Sequence, residues 1–347
     1  VIAALAFSVG GARTDVQFST AARCPEASLT VFDDTTRSLF GAGVPDAVSI
    51  PPGEKAKEWG SVEAVLEFAA RKGIGRDGVM AGVGGGVVCD IAAFAASIYM
   101  RGCGLVLVPT TLLAMVDASL GGKTGIDFLG FKNLVGSFYP ASRIIICPSA
   151  VSSLPEREYI SGLAEVIKTA VIGDEELFEL LERRRAEVLR RDADVVGELI
   201  RRSLAVKGRI VEQDPRENGN RAWLNLGHTF GHALESAMGF SGWTHGEAVA
   251  WGIGRALAAG INFGMTDAAF AARVRALLAS YGYRMDSGAG FDALAAAFTR
   301  DKKRQSGRTR LVIPCGMGDI RIREATADEC AAALSDQRLR EKERMAP

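Results

Sequence analysis

Neither sign of charge dominates this sequence: 41 basic and 41 acidic side chains leave no formal net charge. A dedicated nucleic-acid binder carries a basic excess or stripe, so no nucleic-acid partner is expected, although a local cationic pocket remains open. Cysteine is scarce, six in 347 residues, and no C-x-x-C pair occurs. That excludes a disulfide scaffold and a thiolate zinc site as expectations, and favours free thiols in a reducing cytoplasm. Long uninterrupted apolar runs are also missing. The longest, Val79 to Met100, contains Asp90 and three successive glycines. It reads as a strand, loop and helix, so no membrane span is expected. The opening VIAALAFSVGG has no cationic segment before it and reads as a first strand, not a signal peptide. No internal repeat or low-complexity linker is present. Histidine is the rarest residue type, with three copies, all between positions 228 and 245.

What is present is ordinary for a soluble globular protein: 48% apolar and 24% charged residues, over a length that suggests about two domains. Short β-rich runs (29–32, 79–83, 105–109 and 143–147) alternate with helical patterns over 55–72 and 90–100. Such alternation predicts a parallel sheet with helices on its faces. After about Leu154 the strand signals fade. Amphipathic helical runs follow over 175–191, 194–213, 247–280 and 291–299, with one isolated β-like segment at 309–314. The fold expected is therefore an α/β N-terminal domain over 1–150, then a mainly α-helical domain over 151–347.

The segment GVGGGVVCD (82–90) joins a predicted strand to a predicted helix. Consecutive glycines let backbone N–H groups approach a phosphate, and the following helix N-terminus adds partial positive charge. Val87 stands where the full dinucleotide fingerprint needs glycine, so the segment fits either a pyrophosphate site or a tight structural turn. SLGGKTG (119–125) resembles a P-loop, but Asp117 occupies its first glycine position and would oppose a phosphate. Arg101, Lys123, Lys132 and Asn133 crowd one stretch of this neutral chain and suggest a pocket for an anion.

His228 and His232 are spaced i, i+4 and share a face if helical, a spacing that suits two imidazoles on one metal ion. Thr229 stands where a metalloprotease H-E-x-x-H has its glutamate, which disfavours peptide hydrolysis. Extending the stripe backward adds Arg221 and Asn225. The face reads either as solvated polar surface or as a metal or catalytic face. Asn and His in place of Glu and Lys favour the second reading, and His245 is the natural third contributor.

These residues fall in blocks that resemble the 3-dehydroquinate synthase family, within the sugar-phosphate cyclases. The blocks are PPGEKAK (51–57), GVGGGVVCDIAAFAASIYMRG (82–102), VPTTLLAMVDASLGGKTGID (108–127), KNLVGSFYP (132–140), LPEREYISGLAEVIKTA (154–170), LNLGHTFGHALES (224–236), HGEAVAWG (245–252) and DKKRQSGRTRLVIP (301–314). They run in order over most of the chain. The resemblance implies a Rossmann-like, NAD-binding N-terminal domain, a helical domain that binds metal and substrate, and a cytoplasmic homodimer. It implies metal ligands Glu165, His228 and His245 for Zn2+, with Co2+ as a substitute, and moves His232 from ligand to substrate contact. It implies NAD contacts at Asp34, Glu54, Lys57, Gly85, Gly86, Asp90, Thr110, Thr111, Asp117 and Lys132. The substrate pocket it implies uses Arg101, Lys123, Asn133, Lys168, Lys207, Arg221, Asn225, His232 and Lys302.

The implied activity is that of a phosphate-eliminating carbon–oxygen lyase of the shikimate pathway. It converts 3-deoxy-D-arabino-heptulosonate 7-phosphate to 3-dehydroquinate and phosphate, by transient NAD-mediated oxidation, β-elimination, re-reduction and an intramolecular aldol closure. A cyclase acting on sedoheptulose 7-phosphate and a metal-dependent polyol dehydrogenase are the alternatives. Two positions depart from the family pattern: Phe131 replaces a usual glycine, and Ala118 a frequent serine.

Overall fold

The computed structural model describes residues 4–21, 23–239, 241–302 and 308–334, with the side chains of 297–302 left aside. The chain folds into two compact units, Val1–Pro155 with Arg190–Arg216, and Glu156–Leu189 with Glu217–Pro347.

The first unit is built on a seven-stranded sheet. In chain order its strands are β1 (Leu5–Val9), β2 (Ala12–Phe18), β3 (Leu29–Asp33), β4 (Ala47–Ile50), β5 (Val79–Gly84), β6 (Gly104–Pro109) and, after a hairpin formed by β7 (Lys123–Phe128) and β8 (Phe131–Phe138), β9 (Arg143–Ile146). The spatial order is β1-β2-β9-β6-β5-β3-β4, and every pairing except β1 with β2 is parallel. Helices α1 (Asp34–Phe40), α2 (Trp59–Arg71) and α3 (Gly86–Ile98) follow β3, β4 and β5. A parallel sheet covered by helices buries both faces of its strands, which is why β3, β5 and β6 read as near-continuous apolar runs. Phe32, Val83 and Val108, one from each of these strands, pack together in the core.

The second unit begins with α4 (Glu156–Gly173), α5 (Glu175–Arg183) and α6 (Arg185–Leu189). The chain then returns to the first unit as α7 (Ala193–Gln213). Here the structure corrects the expected division at residue 150: residues 190–216 belong with the sheet, not with the helical unit. The physical reason is local. Gly208 leaves no room for a side chain against the Phe7 ring, the Ser8 N–H donates to Glu212 Oε1 at 2.6 Å, and Lys207 pairs with Asp117 at 2.6 Å.

The second unit resumes with α8 (His228–Ala237), α9 (His245–Asn262), α10 (Ala268–Ser280) and α11 (Phe291–Lys302), then β10 (Thr309–Gly316), β11 (Asp319–Ala325) and α12 (Ala327–Ala332). The β-like segment at 309–314 does not stand alone: it pairs antiparallel with β11 in a hairpin. Fully buried Trp251 anchors α9 in this core. Among the described residues, no helix is long and apolar enough to cross a membrane.

Candidate metal and cofactor sites

The second unit gathers all three histidines. Glu165 lies in the middle of α4, where nearly every neighbour from Tyr159 to Ile172 is buried. A carboxylate there needs compensation, since an isolated charge in an apolar interior is very costly. Lys168, one helical turn on, forms an ion pair with it, and each side chain is 1% exposed.

His228 and His232 lie one turn apart on α8, but the stripe does not continue backward as one helix. Arg221 and Asn225 occupy a separate 3-10 segment, Asn220–Asn225, and Gly227 breaks the chain with φ +82°. That left-handed backbone suits glycine. A Cβ there would also lie 2.6 Å from the Val249 carbonyl oxygen of α9. Two further glycines allow close packing: a Cβ at Gly246 would overlap the Ser161 carbonyl of α4, and one at Gly252 would overlap that of Gly227. Close approach of α9 to both α4 and α8 is what brings Glu165, His228 and His245 together.

Their geometry is specific. Glu165 Oε1 lies 3.9 Å from His228 Nε2 and 3.5 Å from His245 Nε2. One donor atom from each of the three falls within 4.8 Å of the others. Donors about 2.1 Å from one tetrahedral ion stand about 3.4 Å apart, so this set fits a zinc-like ion with small adjustment. A second donor group, His232, Glu235 and His245, shares His245.

The imidazoles differ electrostatically. Burial, reinforced by the Lys168 ammonium, pushes His228 well below its ordinary pKa and keeps it neutral. Its Nδ1 lies 3.3 Å from the Leu226 carbonyl. A carbonyl only accepts, so that contact places the ring proton on Nδ1 and leaves the Nε2 lone pair facing Glu165. For His245, burial lowers the pKa, but hydrogen bonding and attraction to Glu165 and Glu235 outweigh it and raise the value to about 9.

Arg221 is buried, Asn225 is half-buried with its amide donating to Glu217 Oε1 at 2.5 Å, and His232 is exposed. Its ring centroid is 5.4 Å from that of His228 and 6.4 Å from that of His245. Lys302 closes α11, and its side chain lies outside the described residues. Sequence reasoning missed Glu235, which is buried and places Oε1 3.6 Å from His245 Nδ1. The available signal was a lone carboxylate two helical turns after His228, on the same face.

The first unit holds the remaining residues. Gly85 caps α3 and Gly86 opens it, directly after β5, with Thr110 and Thr111 following the parallel neighbour β6. Glycine without a Cβ therefore lines the carboxyl end of adjacent parallel strands, where ligands of open α/β sheets bind. Nearby, Lys57 Nζ pairs with Asp90 at 2.5 Å and donates to Asn133 Oδ1 at 2.6 Å, while Asn133 N–H donates to Asp127 Oδ1 at 2.8 Å. Burial alone would lower the Lys57 pKa, but Asp90, Glu54 and Asp127 raise it and hold the ammonium charged. Burial raises the Asp90 pKa despite the attraction of Lys57. Lys132 reaches Glu54 at 3.7 Å, and Lys207 donates to both the side chain and the carbonyl of Asp117.

Asp34 is exposed at the start of α1, and Lys123 is exposed at the start of β7. Arg101, also exposed, lies beyond the far end of α3 from Gly86, a helix about 20 Å long. The unusual Phe131 pairs with Phe128 in the hairpin, whose turn is made by Leu129 (φ 50°) and Gly130 (φ 78°), both in the left-handed region. Ala118 ends a π-helical turn, with its Cβ 3.5 Å from where a Gly86 side chain would begin.

A parallel sheet with a glycine turn at its carboxyl edge, followed by a helical unit carrying a carboxylate–diimidazole donor set, defines a metal- and nucleotide-dependent enzyme class that includes the sugar-phosphate cyclases. The comparisons with known proteins narrow this. The family descriptions "3-dehydroquinate synthase N-terminal" and "3-dehydroquinate synthase C-terminal" match residues 47–161 and 162–304. A 3-dehydroquinate synthase of Dictyoglomus thermophilum is 41% identical over 277 residues, covering 80% of this chain and 78% of that protein. The chain belongs to the 3-dehydroquinate synthase family. Among solved structures, a 2-epi-5-epi-valiolone synthase of Streptomyces hygroscopicus with NAD+ and Zn2+ bound superposes with TM-score 0.85 at 29% identity, over 94% of this chain and 97% of that one. A 2-deoxy-scyllo-inosose synthase complexed with carbaglucose-6-phosphate, NAD+ and Co2+ shares the fold, with TM-score 0.86 at 22% identity over 96% and 99% of the two chains.

Proposed function

We infer that the chain converts 3-deoxy-D-arabino-heptulosonate 7-phosphate to 3-dehydroquinate and phosphate, the reaction of its family. The observation that carries the reading is the convergence of buried Glu165 with His228 Nε2 and His245 Nε2. One carboxylate and two imidazoles leave one position open on a tetrahedral ion, the mark of a catalytic rather than a structural site. On this reading Glu165, His228 and His245 hold Zn2+ or Co2+. Gly85, Gly86, Thr110 and Thr111 hold the NAD pyrophosphate edge, and Asp34, Glu54, Lys57, Asp90, Asp117 and Lys132 complete that unit's cofactor surface.

When bound, the metal supplies a Lewis acid and NAD+ a reversible hydride acceptor. The chain's own residues supply placement and charge. Lys168 beside Glu165 and Lys207 beside Asp117 are ammonium groups held in place by buried contacts, suited to a substrate rich in anionic oxygen. Buried Arg221 offers a planar fork that matches a carboxylate through two parallel hydrogen bonds, which lysine cannot copy. Asn225 donates its amide to Glu217, which leaves its carbonyl oxygen to accept from a substrate hydroxyl. Fixing these groups in advance lowers the entropic part of the barrier.

The protein on this reading is a cytoplasmic homodimer. Six free thiols suit a reducing compartment. The β7–β8 hairpin exposes Phe128, Leu129, Phe131, Leu134 and Phe138, with Leu129 79% exposed, an apolar cluster of the kind a partner copy covers.

The test is incubation of the full chain with the heptulosonate phosphate, catalytic NAD+ and Zn2+, following phosphate and 3-dehydroquinate. Turnover without net NADH supports the reading. Stoichiometric NADH from a simple polyol selects a dehydrogenase, and preferred turnover of sedoheptulose 7-phosphate selects another cyclase. Arg221→Leu sharpens the result. Loss of a buried charged partner costs about 2–5 kcal/mol, roughly 30- to several-thousand-fold in kcat/KM for the carboxylated substrate. Any residual reaction with the carboxylate-free sugar should suffer much less, and equal losses would remove Arg221 from carboxylate recognition.

A further inference from the structure

We propose that Glu235 is a positioning residue: its carboxylate serves as acceptor for the Nδ1–H of His245 and so aims Nε2 at the Glu165–His228 pair. The inference rests on the metal-ligand reading above and deepens it. Glu235 follows His228 by seven residues on α8, two turns on the same face. It is buried, 6% exposed, and burying a carboxylate calls for a partner. Its Oε1 lies 3.6 Å from His245 Nδ1, while the opposite nitrogen, Nε2, lies 3.5 Å from Glu165 Oε1.

His245 needs such a partner more than His228 does. Its side chain is 34% exposed at the first residue of α9, so packing holds the ring less firmly. His228 is 14% exposed, and its Nδ1 already faces the Leu226 carbonyl. The two imidazoles thus share one design, each with Nδ1 at an oxygen acceptor and Nε2 toward Glu165. A backbone carbonyl serves the one and a carboxylate the other. Carboxylate–histidine–metal arrangements fix the tautomer, orient the ring and raise its basicity, and loss of the outer partner typically costs 10–100-fold in metal affinity. The competing role for Glu235 is that of a ligand itself, with His232 and His245 as the other donors. Exposed His232 and the contact of Glu235 with Nδ1 rather than Nε2 favour positioning.

The experiment measures Zn2+ affinity of the full chain against a chromophoric chelator and records the visible spectrum of the Co2+ form. Glu235→Ala should bind Zn2+ 10–100-fold more weakly. Glu235→Gln, which keeps an oxygen acceptor, should lose only several-fold and keep the cobalt spectrum. His232→Ala should bind like the parent chain. Parent-like affinity in both Glu235 variants overturns the proposal. So does a changed cobalt spectrum in Glu235→Gln, or a loss in His232→Ala equal to that in Glu235→Ala, since each makes Glu235 a ligand. Should Glu235→Ala fail to fold, Glu235→Gln decides alone: a several-fold loss with an unchanged spectrum supports positioning, and parent affinity refutes it. His245→Ala is the separate control. Parent-like affinity there would sink the ligand assignment itself, whereas its loss with unaffected Glu235 variants would sink only the role given to Glu235.

Discussion

Lys168→Met should cost the metal-free protein about 3–5 kcal/mol, far more than the loss of a surface lysine. Lys168 and Glu165 are each 1% exposed and form an ion pair one turn apart on α4. Removing Lys168 leaves Glu165 with the His245 imidazolium, 3.5 Å away, as partial compensation, so the cost should fall toward the lower end of the roughly 3–5 kcal/mol that breaking a buried pair costs. A Coulomb estimate agrees in size: two unit charges about 4 Å apart in an effective dielectric of about 20 interact by about 4 kcal/mol. Methionine fills a similar apolar volume, so little of the loss should come from a cavity. Glu165→Gln alone should be costly for the same reason. The double variant should cost less than the two singles summed, by about 2 kcal/mol or more, because no uncompensated charge then remains.

The assay is urea unfolding of the metal-free chain at neutral pH. The two units call for a fit that allows two transitions, with the effect read in the one that unfolds the helical unit. Adding Zn2+ supplies a second test. On the proposed ligand assignment a divalent cation compensates Glu165 in place of the ammonium, so the Lys168→Met deficit should shrink and the variant's Zn2+ affinity should rise. Two results would refute the reasoning. One is a deficit below about 1 kcal/mol without metal. The other is a deficit unchanged by saturating Zn2+, since it would mean that metal and ammonium do not share this carboxylate.

Gly86→Ala should leave stability within about 1 kcal/mol, since its Cβ would meet Ala118 at 3.5 Å and Leu113 at 4.0 Å, both ordinary contacts, but should weaken NAD+ binding tenfold or more by fluorescence titration. Gly84→Ala would instead meet Val88 at 2.6 Å and should destabilise the fold. Glu247 closes the capping box of α9 and pairs with Arg157 at 2.7 Å. Burial would raise its pKa, but Arg157 and the Thr244 N–H outweigh that and hold it below 4.5. A depressed carboxylate stabilises the fold above its unfolded pKa and loses that contribution as pH falls through its folded pKa. Glu247→Gln should therefore cost about 1 kcal/mol at pH 7, and the difference from the parent chain should vanish in unfolding curves well below pH 4.5. Because His245 titrates at about 9 and His228 is neutral, Zn2+ binding at pH 7 should release a proton from His245, and affinity should climb up to about pH 9. Calorimetry in buffers of different ionisation heat measures this, and binding without proton release would contradict it.

The sheet was readable because burial on both faces writes itself as apolar runs. The expected strands 29–32, 79–83, 105–109 and 143–147 became β3, β5, β6 and β9 within a residue or two at each end. Strands with another pattern were missed. The hairpin strand β8 exposes most of its residues, including Phe131, Leu134 and Phe138, so no buried face marked it. The expected helix over 247–280 divides into α9 and α10, with Gly264 at φ +66° in the connection, and 175–191 divides into α5 and α6. Glycine and charge content inside an Ala-rich stretch do not by themselves say where a helix stops.

The candidate metal site shows most clearly what periodicity can and cannot deliver. Spacing i, i+4 put His228 and His232 on one face, and the structure keeps that relation. It could not choose between them, because the choice depends on what stands opposite. Glu165 comes from α4 and His245 from the start of α9, and glycine contacts at Gly227, Gly246 and Gly252 decide which imidazole the carboxylate meets. The family resemblance implies the trio where spacing alone keeps His232 as a ligand beside His228. One physical signal for Glu165 was nevertheless present in GLAEVIKTAVIG: a Glu and a Lys three residues apart inside an otherwise apolar helix. Ionisable side chains are almost never fully buried without a partner. A pair set at helical spacing in such a run therefore marks a buried ion pair, and a buried carboxylate facing two imidazoles is what a divalent cation would use. Glu235 in HALES carries no such pair, because its partner, His245, lies beyond a helix break that periodicity does not cross.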